Sequence, residues 1–191
     1  MQPSLLKSVR AEFNVPATMR DGVTLRANVY RPDDDGAGVY PVLLMRLPYG
    51  KDFPLGGFDP PQIARNGYIV VIQDVRGCFA SEGEWFPLIH EADDGVDMVA
   101  WAAALPGSNG VVGMFGASYM GYTQWAVANA GAAQLRAFAP MITWADREQS
   151  ALRGGVLELG LQGNWLLLQG LGQMARRYAG DLQALGAAVY G

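Results

Sequence analysis

The chain has 191 residues and a formal net charge of −4, with 50% hydrophobic and 17% charged residues. That balance predicts one ordinary domain with a packed core and excludes disorder. The absence of a basic stripe speaks against nucleic-acid binding, and the single cysteine, Cys78, leaves neither an internal disulfide nor a CxxC zinc pair. Residues 1–7 lack the basic start and apolar run of a secretory signal, and no stretch reaches membrane-span length without a charge or several glycines. A soluble cytoplasmic protein with no membrane association is expected.

A first strand is expected over 11–19, and Arg20-Asp21-Gly22 reads as a hairpin turn. Val23, Leu25, Ala27 and Val29 then alternate with polar or larger residues, the period of a half-buried antiparallel strand. Residues 31–36, with Asp33, Asp34 and Asp35, read as a solvated loop and not a metal site, because ligand spacing and a second cluster are missing. Residues 40–46 form an apolar run suited to a central strand. The loop after it carries Tyr49, at the strand end where α/β sheets bind ligands. There a phenol either donates a hydrogen bond to an oxyanion or simply packs.

A short helix is expected over 60–66, stopped by Gly67, and a β-branched strand over 68–73. Asp74 and Arg76 read as a structural polar set at its end, and Cys78 as a small semi-buried residue. Residues 90–105 carry apolar side chains at helical spacing, and Glu91, Asp93 and Asp94 at the start suit the helix dipole. Residues 106–110 read as a turn, 111–115 as a buried strand, 119–129 as a helix and 135–140 as another strand. From Ala145 the character changes to an apolar, glycine-broken helical segment that includes Val156, Leu157, Trp165 and Leu171. An antiparallel start followed by alternating strands and helices implies a mainly parallel sheet, the α/β-hydrolase plan.

Between the strand at 111–115 and the helix at 119–129 stands Gly116-Ala117-Ser118-Tyr119-Met120-Gly121. A serine on a sharp strand-to-helix turn is raised above the sheet, beside backbone N–H groups at a helix N-terminus. Those groups suit the negative oxygen of a tetrahedral intermediate. The second glycine falls one residue later than in G-x-S-x-G.

Five motifs together resemble a known family. They are Arg20-Asp21-Gly22-Val23-Thr24-Leu25 with Arg31-Pro32; Arg46-Leu47-Pro48-Tyr49-Gly50-Lys51; Asp74-Val75-Arg76-Gly77 with Ser81-Glu82-Gly83-Glu84; Glu91, Asp94 and Asp97 with Trp101; and the glycine-flanked serine stretch from Gly113 to Gly121. In this order they resemble the X-Pro dipeptidyl-peptidase-like serine hydrolases, which include cocaine esterase, α-amino-acid ester hydrolases and cephalosporin acylases. The resemblance covers about residues 14–144, and the displaced Gly121 agrees with that family's G-x-S-Y-x-G form. It implies Ser118 as nucleophile, with the Tyr49 hydroxyl and the Tyr119 backbone N–H as oxyanion donors. It further implies an acyl-enzyme route on a small-molecule ester, amide or peptide, with no cofactor and no metal. Residues 1–145 would be the N-terminal part of the catalytic domain, and 146–191 the beginning of a helical cap.

In α/β-hydrolases the triad runs serine, acid, histidine along the chain. The one histidine here, His90, precedes Ser118 and reads as structural. Asp146 comes one strand early for the acid, and Asp181 falls in the expected cap. The sequence therefore reads as part of a larger enzyme whose triad acid and histidine it lacks. It is expected to be hydrolytically inactive and poorly soluble alone. The alternative is a truncated, inactive fragment with only a binding or structural role.

Overall fold

Residues that alternate in polarity, or that are β-branched and apolar throughout, favour extended backbone with side chains on two faces. The computed structural model describes residues 8–52, 57–146, 148, 152–177, 181 and 183–184. Residues 1–7, read above for a leader, and 178–180, 182 and 185–191 of the expected cap lie outside the described residues. The chain divides into two compact units, Met1–Ala145 and Asp146–Gly191.

The first unit is built on a six-stranded sheet. Strands β1 (Val9–Thr18) and β2 (Thr24–Pro32) form the expected hairpin. Its turn is closed by Met19 N–H on the Val23 carbonyl at 2.8 Å, with Gly22 at φ 87° and Asp21 Oδ1 accepting from Val23 N–H at 3.1 Å. The other strands are β3 (Tyr40–Leu47), β4 (Ile69–Asp74), β5 (Ser108–Ala117) and β6 (Leu135–Met141). The spatial order is β1-β2-β4-β3-β5-β6. β2 pairs antiparallel with β1 and β4, and the remaining pairs are parallel. This is the α/β-hydrolase arrangement of a mainly parallel sheet with an antiparallel N-terminal hairpin, and the apolar β3 lies in its interior as its composition predicts.

Three helices flank the sheet: α1 (Pro60–Arg65), α2 (Glu91–Ala103) and α3 (Tyr119–Ala130). Met98, Val99 and Ala102 of α2 and Val127 of α3 pack on Val42, Leu44, Ile69, Val71, Val112 and Met114. Strand alternation sends Met45, Leu47 and Ile72 to the opposite face, where with Pro60 and Pro61 they line a cavity of about 430 Å³.

Two expectations need correction. β5 begins at Ser108, where a turn was expected through Gly110. The turn-forming residues are real, but they form a bulge inside the strand. Gly110 takes φ 81°, and the register against β3 shifts between Tyr40 and Val42. In the second unit, the helical reading fails at 152–157. β7 (Leu152–Arg153) and β8 (Val156–Leu157) pair antiparallel around Gly154 and Gly155, both at positive φ, 60° and 84°. Two such glycines suit a tight hairpin turn. A π-helical turn, Leu159–Gly163, then leads into α4 (Asn164–Arg177). Among the described residues no helix is long and apolar enough to cross a membrane.

The hairpin is fastened to α2 by Arg20. Its backbone N–H donates to Asp97 Oδ2 at 2.8 Å, its Nη2 to Asp97 Oδ1 at 2.8 Å and its Nη1 to Asp93 Oδ1 at 3.0 Å. Burial opposes the ionisation of Asp97, yet the hydrogen bonds from Arg20 outweigh it and hold the carboxyl below its usual range. Asp21 is held low by its hydrogen bond from Arg76. A carboxyl whose pKa is lowered on folding stabilises above its unfolded value, about 4, and loses that contribution as pH falls through its folded value. Thermal melts below about pH 4 are therefore expected to show falling stability, with a shallower acid limb in Arg20→Ala. An unchanged slope in that variant would remove the Arg20–Asp97 pair as its source.

Candidate functional site

The turn between β5 and α3 is strained. Ser118 holds φ 58° and ψ −123°, a region that residues with side chains rarely occupy. Four bonds fix it. Its N–H donates to the Met141 carbonyl of β6 at 2.9 Å, and its carbonyl accepts from Gly121 N–H at 2.9 Å, Tyr122 N–H at 3.1 Å and Thr143 Oγ1 at 2.8 Å. The residue is exposed, and its side chain does not cap the helix. The hydroxyl is thus presented outward at the N-terminus of a twelve-residue helix, where the dipole favours negative charge.

Both flanking glycines have a steric cause. A Cβ on Gly116, at φ 132°, would lie 2.5 Å from the Met120 Cβ. A Cβ on Gly121 would lie 2.6 Å and 2.7 Å from Thr143 Cγ2 and Cβ. Met120 therefore closes over Gly116, and the close approach that demands a glycine falls at position 121, where the helix meets Thr143. The displaced glycine of the sequence pattern follows from that contact.

Tyr49 lies on the loop after β3. Its ring meets the ring of Tyr119 edge-to-face, with centroids 6.5 Å apart and planes at 74°. The structure thus brings Tyr49 next to the residue that follows Ser118. The Tyr49 loop is tied to the end of β4: Lys51 donates from its backbone N–H to Asp74 Oδ1 at 2.7 Å and from Nζ to Asp74 Oδ2 at 2.9 Å. Both side chains are buried. Burial pushes the Asp74 carboxyl upward against the opposing pull of Lys51. Phe79 covers the same loop, since a Cβ on Gly50 would stand 3.0 Å from its ring.

The Tyr119 side chain runs the other way, into the interior. Its hydroxyl donates to Glu91 Oε1 at 2.7 Å and accepts from Leu88 N–H at 3.1 Å. Burial, then the neighbouring Glu91 charge, hold that phenol well above its usual range. Glu91 in turn faces Arg46, whose Nη1 lies 2.9 Å from Oε2 and donates to the Glu91 carbonyl at 2.9 Å. Arg46 Nε donates to Gln73 Oε1 at 2.6 Å. Arg76 pairs with Asp94 of α2 and with Asp21. The acidic start of α2, expected to serve the helix dipole, is therefore partnered residue by residue with Arg46, Arg20 and Arg76. Among the described residues no group of three His, Cys, Asp or Glu side chains is arranged to hold a metal ion.

Sequence reasoning missed Arg46, Glu91, Lys51 and Thr143. A charged residue inside an apolar strand was the available signal for Arg46. His90 stands at the start of α2, half-buried, with its ring 6.2 Å from that of Phe86 and no capping bond. In the second unit, Asp146 and Asp181 are exposed and accept from the backbone N–H of Glu148 and Ala184.

Residues 21–189 match the X-Pro dipeptidyl-peptidase (S15 family). Cocaine esterase of Rhodococcus sp. (strain MB1 Bresler) is 42% identical over 171 residues, which are 86% of this chain and 29% of the esterase. A CocE/NonD family hydrolase from Staphylococcus aureus superposes with a TM-score of 0.79 at 29% identity, over 93% of this chain and 36% of that one. An α-amino acid ester hydrolase superposes with a TM-score of 0.62 at 27% identity, over 74% and 27% of the two chains. The chain thus spans little more than a third of these relatives at most. The match over most of its length, with the sheet order and the glycine-flanked Ser118 turn, shows that this chain belongs to the X-Pro dipeptidyl-peptidase S15 family of α/β-hydrolase fold.

Proposed function

We propose that the chain carries the nucleophile and oxyanion side of a serine hydrolase acting on an ester, amide or peptide. The observation that carries this reading is Ser118, exposed and strained at φ 58° on the turn into α3. Strain at an exposed hydroxyl, maintained by bonds from β6 and Thr143, is a common mark of a reacting group. The names of the relatives support the substrate class, since they include an esterase, an amino acid ester hydrolase and a dipeptidyl-peptidase family.

In this reading Ser118 Oγ attacks the substrate carbonyl carbon as its proton passes to a base. The carbonyl oxygen becomes an oxyanion that accepts from the Tyr49 hydroxyl and the Tyr119 backbone N–H. Collapse breaks the bond to the leaving alcohol or amine, which takes up the proton and departs. Water then attacks the acyl carbonyl, one of its protons passing through the base to Ser118 Oγ as the serine ester bond breaks, and the acyl group leaves with the water's hydroxyl as a carboxylic acid. Serine needs a base for this, and the sequence has one histidine, His90, at the start of α2 and before Ser118. We assign the base and its acid partner to polypeptide outside the 191 residues, and the second unit, Asp146–Gly191, to the beginning of a helical cap. The single cysteine and the composition support a cytoplasmic setting.

Two measurements test this reading. Incubation of the longer protein that would supply the base with a fluorophosphonate probe is expected to modify Ser118, located by peptide mass spectrometry, and Ser118→Ala is expected to abolish the adduct, whereas the 191-residue chain alone is expected to label far more slowly. An adduct elsewhere, or one that survives the substitution, overturns the assignment of the nucleophile. Turnover of p-nitrophenyl butyrate by the same chain is expected to stay within about 10³–10⁴ of the rate in water, the level that an oxyanion hole and binding alone support. Robust, Ser118-dependent turnover would place the base inside these residues.

The glycines give a second test. Gly121→Ala forces a Cβ against Thr143 and is expected to reduce probe labelling together with thermal stability, by about 1–3 kcal/mol. Thr143→Ser, which removes the methyl that the new Cβ would meet and keeps the hydroxyl, is expected to restore part of both. No loss in Gly121→Ala would show that the helix start can yield at that contact.

A further inference from the structure

Two buried charge pairs stand close along the chain or through a hydrogen bond to the residues of the two proposed oxyanion donors: one ties down the loop after Tyr49, and the other bonds the Tyr119 side chain. Lys51, two residues beyond Tyr49, binds both carboxylate oxygens of Asp74 through its backbone N–H and its ammonium group. Side-chain exposure of the pair is 1% for Lys51 and 0% for Asp74. Arg46 and Glu91, at 0% and 4%, form the other pair, and Glu91 passes the contact directly to the Tyr119 hydroxyl at 2.7 Å. The two branches meet where the rings of Tyr49 and Tyr119 touch.

We propose that Asp74 and Glu91 are positioning residues of the site: Lys51–Asp74 sets the Tyr49 loop, and Arg46–Glu91, acting through the Tyr119 phenol, sets the peptide that follows Ser118. This rests on the reading of Ser118, Tyr49 and Tyr119 given above. A loop whose Gly50 takes φ 100° and a turn whose Ser118 takes φ 58° have little intrinsic preference for the required shape. Each must be over-determined by neighbours. Apolar packing alone tolerates small sliding, whereas a bidentate, desolvated carboxylate fixes both distance and direction. The strand ladders also fall short of the task. β3 ends at Leu47, before Tyr49, and β5 ends at Ala117, before Ser118. Donors to an oxyanion must be held within about half an ångström, and beside the Met141 and Thr143 bonds at Ser118 these pairs are buried ionic anchors that reach the segments on which the donors sit.

The test uses the longer protein that would supply the base and reads geometry and reactivity separately. Backbone amide resonances and hydrogen exchange of Gly50, Ser118 and Tyr119 are followed by NMR in Glu91→Gln, Tyr119→Phe and Asp74→Asn. Arg20→Ala, which breaks a surface clamp on α2 far along the chain from either donor, serves as the stability control. Glu91→Gln and Tyr119→Phe are expected to shift the Ser118 and Tyr119 amides and speed their exchange several-fold, leaving Gly50 less affected. Asp74→Asn is expected to do the reverse, and Arg20→Ala to lower the melting temperature without moving any of the three amides. Unmoved Ser118 and Tyr119 amides in Tyr119→Phe would overturn the proposal, as would equal displacement by Arg20→Ala. Should Glu91→Gln fail to fold, Tyr119→Phe removes a single hydroxyl and decides the same question. Fluorophosphonate labelling of Ser118 is measured in parallel and is expected to slow several-fold in Glu91→Gln and Asp74→Asn. An unlabelled wild-type protein that includes the polypeptide assigned to the base would defeat the hydrolase reading, while the amide shifts would still decide the positioning.

Discussion

The arginine inside β3 governs this structure. Arg46 is fully buried in a strand otherwise made of apolar side chains. It bonds across to Gln73 on β4 and down to the side chain and carbonyl of Glu91 at the start of α2. Its Nη2 lies 4.0 Å from Asp94 one turn further on. An isolated buried guanidinium would be prohibitively costly, so the helix start must deliver its carboxylates to this point. The acidic residues of α2 are therefore a condition of folding β3 and β4 side by side. Gly95 belongs to the same constraint, because a Cβ there would stand 3.0 Å from Arg46 Nη1 and 2.2 Å from a methyl of Val127. Removing one partner of such a pair costs about 3–5 kcal/mol, although the intact pair contributes little net stability over apolar packing. Its value is in fixing the direction of approach.

That direction matters because α2 meets α3 at the residue after Ser118. Tyr119 is the first residue of α3 and reaches Glu91, the first residue of α2. The two helix starts are thus joined by a 2.7 Å hydrogen bond in a water-poor interior, where such bonds are strong and unpaired groups expensive. The strained backbone at Ser118 lies one residue away. A high-energy turn persists only where surrounding structure leaves it no alternative. Here the constraint comes from three sides: β6 through Met141, the segment after β6 through Thr143, and α2 through Glu91.

The sequence revealed the local features and concealed the long-range ones. Alternation marked β2, a β-branched run marked β4, and a glycine-flanked serine marked the turn into α3, because each depends on neighbours along the chain. The same periodicity misled at Ser108 to Gly110, where turn-forming residues make a bulge within β5, and at Val156 and Leu157, where two glycines at positive φ turn an apolar stretch into a hairpin. Asp74 was legible as part of a structural polar set, whereas Glu91 passed as a charge serving the helix dipole, and the partners of Arg46 and Lys51 were not legible. Nothing local distinguishes a dipole-compensating glutamate from one that neutralises an arginine 45 residues away. Tyr49 was legible by its place after a central strand, but its contact with Tyr119 depends on β3 and β5 being neighbours.

The displaced glycine shows how a local departure from a pattern can follow from a distant contact. In G-x-S-x-G both glycines relieve crowding around the nucleophile turn. Here the residue two positions after Ser118 is Met120, whose Cβ would meet any side chain on Gly116, so one glycine suffices for that contact. The remaining crowding comes from Thr143, which approaches the helix one residue later at Gly121 and bonds the Ser118 carbonyl. Thr143 lies just after β6, and β6 is where β5 finds its parallel neighbour. The position of the second glycine is therefore set by the strand that flanks the turn. A shift of that glycine back to position 120 would make sense only together with a change in how the chain leaves β6.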